Sequence, residues 1–267
     1  MAQEWICWYG VFIPWDCQVR VSEEEVGERL KGSPGSLIEL EVLALGESKP
    51  RTVVLTRQAI RVPSVVDVQM LPRHPGVGYC RILSFQKNTV QELDEALLQL
   101  RMQGLKALIV DLRGNWGGIF AVAIQVTERF LPEGKVIVST QSQLADQNRR
   151  YKAGYPGALD LPLVLLVDGE TASAAEVVAG ALHDHGQAIL VGMPTYGKWS
   201  IQRVLQLETV KAGGLRITLA RFLSPGGHAY NIVGVKPDEL VPRSLSMMDN
   251  QLEAAIGVAN KLLSMRP

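Results

Sequence analysis

Polar and apolar residues alternate in two short segments near the start of the chain, "SLIELEVLAL" and "RTVVLTR". Period-two alternation puts one set of side chains on each face of a strand, so the two segments predict a pair of strands joined through the turn "GESKP". Ahead of them, "VSEEEVGERLKGSPGS" places Ser22 three residues before Glu25, the spacing of a capping box, and is stopped by Gly32 and Pro34. That predicts a short helix. A helix and a hairpin in so short a span bury too little to make a whole domain, and they read as the second half of one.

The pattern changes after "IRVPSVVDVQMLPRHPG", whose three prolines mark a linker. Apolar runs of strand length now alternate with helical spacing. "GYCRILSF", "KALIVDL", "KVIVST", "LPLVLLV" and "AILVG" read as strands, and "NTVQELDEALLQLRMQG", "IFAVAIQVTERFL" and "SAAEVVAGALHDHG" as helices. In the first helix Val90, Leu93, Leu97 and Leu100 share a face, Thr89 and Glu92 have capping-box spacing, and Gly104 supplies the stop. "IQRVLQL" and "LRITLARF" alternate like an antiparallel pair, and "MDNQLEAAIGVANKLL" closes as a helix. Alternation of this kind predicts an α/β core with helices covering a largely parallel sheet.

Composition narrows the function classes. The 267 residues hold 27 Lys+Arg against 27 Asp+Glu, so no net field favours nucleic acid or an anionic membrane. Apolar content of 47% and charged content of 20% fit a globular protein. No apolar run reaches the ~18–20 residues of a membrane-spanning helix. The tryptophan-rich start, "MAQEWICWYGVFIPWDC", lacks a basic leader region and a small-residue cleavage site. It reads as a damaged or misassigned start rather than a signal peptide. Cys7, Cys17 and Cys80 are too few for a disulfide framework and lack zinc spacing, so free thiols are expected, with a Cys7–Cys17 pair as the alternative.

Three stretches carry candidate chemistry. "GETASAAEVVAG" puts the hydroxyl of Ser173 where a buried strand turns into a helix, with no histidine nearby to activate it. Lys198, in "TYGKWSIQ", is a candidate base. A lysine of ordinary pKa ~10.4 is neutral in only about one molecule in 2,500 at pH 7, so that role needs a dry site. Tyr196, Gly197 and Trp199 flank Lys198 without a nearby acid, and Gln202 offers a neutral amide to aim the amine. Such a Ser–Lys pair is a variant of the nucleophile–base arrangement. The alternative is a serine helix cap and a surface lysine. "DLRGNWGG" holds three glycines between a strand and a helix, which suits an oxyanion hole, a phosphate site or a plain tight turn. His74, His183, His185 and His228 read as solvated or structural. A serine–histidine triad has no source here, and GxSxG is absent.

"KALIVDLRGNWGG", "LVDGETASAAEVVAGAL", "VGMPTYGKWSIQ" and "LARFLSPGGHAYNIVGVKPD" occur in an order that resembles the C-terminal processing peptidases, or tail-specific proteases, over about residues 20–245. The resemblance implies Ser173 as nucleophile, Lys198 as general base and Gln202 as the residue orienting it. It implies an oxyanion hole from the amides of Gly118 and Ala174, with Gly117 as an alternative donor. It further implies a crotonase- and Clp-protease-like ββα core, with the helix and hairpin as part of a PDZ domain. The expected divisions are an atypical N-terminus at 1–18, a partial PDZ-like domain at 19–60, a linker at 61–77 and a catalytic domain at 78–267. Substrates would be polypeptides held by their C-terminal tails, in the periplasm or cell envelope, with no metal, cofactor or nucleic acid. Trp116 stands where the family often has proline, and Trp199 where glycine often follows the lysine; an indole there would shield Lys198 from water or narrow access. The rival readings are a non-catalytic PDZ-type peptide-binding scaffold and a crotonase-like acyl-CoA enzyme.

Overall fold

The structure, a computed structural model, describes residues 27, 29–43, 47–58, 62–206, 214–244 and 248–265. Ser22, Glu25, Cys7 and Cys17 lie outside the described residues, and the expectations placed on them do too. The chain divides between Val62 and Pro63 into two units. In the first, strands β1 (Leu37–Val42) and β2 (Arg51–Thr56) pair antiparallel, with Leu37 opposite Thr56 and Val42 opposite Arg51. The Arg57 guanidinium ties this hairpin together by donating to the carbonyls of Leu30 and Leu37. Gly27, Arg29 and Leu30 are helical.

The second unit is built on a six-stranded sheet in the order β12-β9-β8-β5-β4-β3. These strands are β3 (Val65–Met70), β4 (Val77–Ile82), β5 (Ala107–Asp111), β8 (Leu163–Val167), β9 (Ala188–Gly192) and β12 (Glu239–Leu240). All neighbours are parallel except β3, which runs antiparallel to β4 at the edge. The stretch 61–77, read from its prolines as a linker, therefore contains a strand. Pro63 and Pro72 only bracket it, and an edge strand needs ladder hydrogen bonds on one side alone.

The central strands are buried on both faces, and their side chains alternate between two cores. Leu108 and Val110 of β5, with Leu163, Leu165 and Val167 of β8, join the larger cluster. Helices α1 (Thr89–Met102), α2 (Phe120–Glu128) and α3 (Ala174–Asp184) cover it. Ala107, Ile109, Val164 and Leu166 point the other way, onto Ala255, Ile256 and Ala259 of α4 (Asn250–Met265). A strand loaded on both faces reads as a continuous apolar run, the pattern seen in "LPLVLLV".

A second sheet, β10-β11-β6-β7, is antiparallel. It consists of β6 (Val136–Gln141), β7 (Arg150–Lys152), β10 (Ser200–Gln206) and β11 (Gly214–Leu223). The capping box expected at Thr89 and Glu92 is not formed. Asn88 is the N-cap, Thr89 donates to the Ser84 carbonyl, and Glu92 accepts from the Ser64 and Val65 amides and the Asn88 side chain. The carboxylate is drawn outward because the start of β3 presents two amide donors to it at once.

Candidate active site

Parallel strands deliver their chain ends to one edge of the sheet, and two of those ends make the site. Strand β5 runs into the glycine turn 114–118, and β8 runs through Asp168–Thr171 into α3. Buried polar groups knit the two connections. Thr171 Oγ1 donates to the Leu112 carbonyl at 2.9 Å, and Asp168 Oδ1 accepts from the Gly114 amide at 3.0 Å. Asn115, fully buried, donates Nδ2 to the Ile82 carbonyl, accepts the Gly117 amide on Oδ1, and accepts the Ala172 amide on its own carbonyl.

Ser173 sits at the N-cap of α3 with φ 57° and ψ −117°. A serine in that region carries backbone strain of about 1–3 kcal/mol, which only an over-determined surrounding holds in place. The surrounding is Glu176, one turn into the helix and fully buried. Its Oε2 accepts from the Ser173 amide at 2.8 Å and from the Lys198 amide at 2.8 Å. Its Oε1 accepts from Thr195 Oγ1 and the Gly197 amide, each at 2.6 Å. One carboxylate thus fastens the backbones of both candidate catalytic residues, and its place in the first turn of α3 lets the helix dipole support its charge. Thr195 and Asn115 complete the frame, because the Thr195 hydroxyl also accepts the Val235 amide at 2.7 Å.

The glycine turn lies directly over Ser173. A Cβ on Gly117 (φ +100°) would come within 3.0 Å of Ser173 Cβ and Ala174 N, and within 2.8 Å of the Ala172 carbonyl. A Cβ on Gly118 (φ +142°) would stand 2.3 Å from the Phe85 carbonyl. Phe85 bridges to Gly118 in strand fashion, giving its amide to the Gly117 carbonyl and receiving that of Ile119. The Gly117 amide is taken by Asn115. Those of Gly118 and Ala174 have no partner among the described residues.

The side chains of Lys198 and Gln202 are placed differently from the dry pocket expected for them. Both are exposed, Gln202 beside the bulge of β10, and no hydrogen bond joins the Lys198 amine to Ser173 or Gln202 among the described residues. Trp199 does not shield the lysine. Successive residues of an extended chain point to opposite sides, and the indole, 1% exposed, packs under the sheet against Phe222, Tyr230 and the bare face of Gly180. Cys80 is a free, buried thiol, pushed up to about 12 by burial and by the nearby Asp111 carboxylate, and so an inert group. The histidines hold local structure: His185 bonds to the Val136 carbonyl, His74 to Asn260, and His183 faces Asp184 and Asp238.

Glu176, Asn115 and Thr195 were not singled out from sequence. Their signal was faint: short polar residues inside the same motifs, which become legible as a frame only when their burial is known.

The family model of Peptidase family S41 matches residues 76–241, so the chain belongs to that family. A carboxyl-terminal-processing protease of Synechocystis is 36% identical over 245 residues, covering 88% of this chain and 56% of that protein. The corresponding protease of Picosynechococcus is 34% identical over 244 residues, covering 90% and 58%. A solved photosystem II D1 C-terminal processing protease superposes with a TM-score of 0.60 at 32% identity, over 90% of this chain and 64% of that one. The chain spans a little over half the length of the two curated relatives.

Proposed function

We propose that the chain carries the catalytic unit of a serine endopeptidase that cleaves polypeptides near their C-termini. The observation that carries this reading is the Glu176 carboxylate, whose Oε2 accepts the Ser173 and Lys198 amides together. The two backbones thereby share one acceptor, and in this reading the flexible four-carbon stem of Lys198 turns its amine toward the Ser173 hydroxyl when substrate binds. A bound substrate covers the site and removes water from the amine, which favours its neutral form.

In the proposed reaction Ser173 Oγ attacks the scissile carbonyl and Lys198 Nζ takes its proton. The amides of Gly118 and Ala174 donate hydrogen bonds to the developing oxyanion, with the Gly117 amide held back by its bond to Asn115. The lysine then gives its proton to the leaving amine, and water attacks the acyl-enzyme by the same route. Gln202 is the residue assigned to steady the turned-in amine. The helical residues and hairpin of the first unit fit part of a PDZ-type domain, which would hold a substrate tail as an added strand. The core is assigned to the crotonase and Clp protease class, and the compartment to the cell envelope or its equivalent.

The exposed Lys198 amine, with no hydrogen bond to Ser173 among the described residues, favours a second reading, a peptide-binding scaffold without catalysis. Incubating the protein and its Ser173→Ala variant with tailed peptides, and weighing the products, separates the two. Cleavage by the unsubstituted protein alone supports the peptidase. Binding without cleavage by both proteins supports the scaffold, and equal cleavage by both overturns the role of Ser173.

A further inference from the structure

The two segments that bracket Ser173 each present an aromatic ring to solvent. Trp116, 59% exposed, directly precedes Gly117, whose Cα stands over Ser173 Cβ. Tyr196, 53% exposed, gives its amide to the Thr171 carbonyl at 3.0 Å, two residues before Ser173. The rings meet at a centroid distance of 5.7 Å and a tilt of 57°. Ile232, 92% exposed, gives its amide at 2.9 Å to the carbonyl of Gly197, the residue after Tyr196. Its φ of +70° is an unusual conformation for a β-branched residue, held by that contact.

Exposed apolar side chains are ordinary when scattered, but here two rings meet on segments that contact the serine turn, and Ile232 is bonded to the residue after one of them. Trp116, Tyr196 and Ile232 all lie outside both core clusters. Aromatic rings fixed by rigid loops offer a large contact area at low entropic cost, the usual make-up of a specificity wall.

We propose that Trp116 and Tyr196, flanked by Ile232, form the wall of a subsite for an apolar side chain next to the scissile bond. The inference rests on the peptidase reading above. An apolar side chain seated against the rings would press its backbone toward the Gly118 and Ala174 amides, so that selection and alignment act together. A charged or glycine side chain gains nothing from such a wall.

The test uses the full chain and a peptide series identical except for the residues on either side of the cut, with leucine, phenylalanine, glycine, aspartate or lysine at each in turn. The expected kcat/KM for leucine or phenylalanine exceeds that for glycine or aspartate by at least about tenfold at one of the two positions. Trp116→Ala and Tyr196→Ala should collapse that ratio through KM, while circular dichroism stays that of the unsubstituted protein. A flat profile, or a ratio unchanged in both variants, overturns the proposal. If no peptide is cut, the peptidase reading fails separately, and binding of the same labelled peptides to Ser173→Ala decides the wall. A leucine-over-glycine preference lost in Trp116→Ala upholds it, and equal affinities overturn it.

Discussion

Four donors converge on one buried carboxylate at Glu176, and two of them belong to the residues assigned to catalysis. Replacing Glu176 by Gln turns one oxygen into an amide that must face amide donors. The expected cost is about 1–3 kcal/mol in urea unfolding, together with a fall of at least tenfold in peptide hydrolysis as Ser173 and Lys198 lose their common anchor. A variant as stable and active as the parent would show that the anchor does not matter. Lys198 itself is tested by Lys198→Arg. A guanidinium keeps its proton at any usable pH, so hydrolysis should drop by about a hundredfold or more, measured by release of a peptide chromophore. Of these residues Ser173, Lys198 and the glycines stood out in the sequence, because a hydroxyl, an unpaired amine and clustered glycines are conspicuous by type. Glu176 did not, since a glutamate in the first turn of a helix is ordinary until its burial is known.

Elements are positioned here by a few close approaches. The parallel bridge between Phe85 and Gly118 exists because a bare Cα lets the Phe85 carbonyl come near. Gly118→Ala would put a methyl group against that carbonyl at a φ of +142°, and a loss of at least about 2 kcal/mol is expected by chemical denaturation. At the other end of the same frame, Glu92 links α1 to the start of β3. Burial raises its carboxyl, but the hydrogen bonds from Ser64, Val65 and Asn88 outweigh that and hold it down at about 2, below its ordinary 4.5. The bonded form is the charged one, so its contribution is complete above pH 4.5 and fades as pH falls toward 2. Acid titration of unfolding stability in that window should be steeper for the parent than for Glu92→Gln. The helices and central strands were legible from periodicity, within a few residues at their ends. β3 was missed because its prolines outweighed its alternating "VVDVQ", which an edge strand tolerates.

At the scale of the molecule, the break between Val62 and Pro63 predicts that residues 63–267 fold without the first unit. Such a fragment should unfold cooperatively by near-ultraviolet circular dichroism and still cut short peptides, with any preference for tailed substrates lost. A fragment without fixed tertiary signals would refute the division. What the chain's order of residues determined by itself is the class of core and the inventory of reactive groups, because periodicity is local and reactive side chains are recognisable one at a time. What only the tertiary structure decided is which of those groups meet. The backbone amides of Ser173 and Lys198 share one oxygen of Glu176, Trp199 turns away into the core, and Trp116 meets Tyr196. Each of these depends on where β5, β8 and the segment before β10 end relative to one another. That relation is set by sheet order and by packing on both faces, which local pattern does not encode.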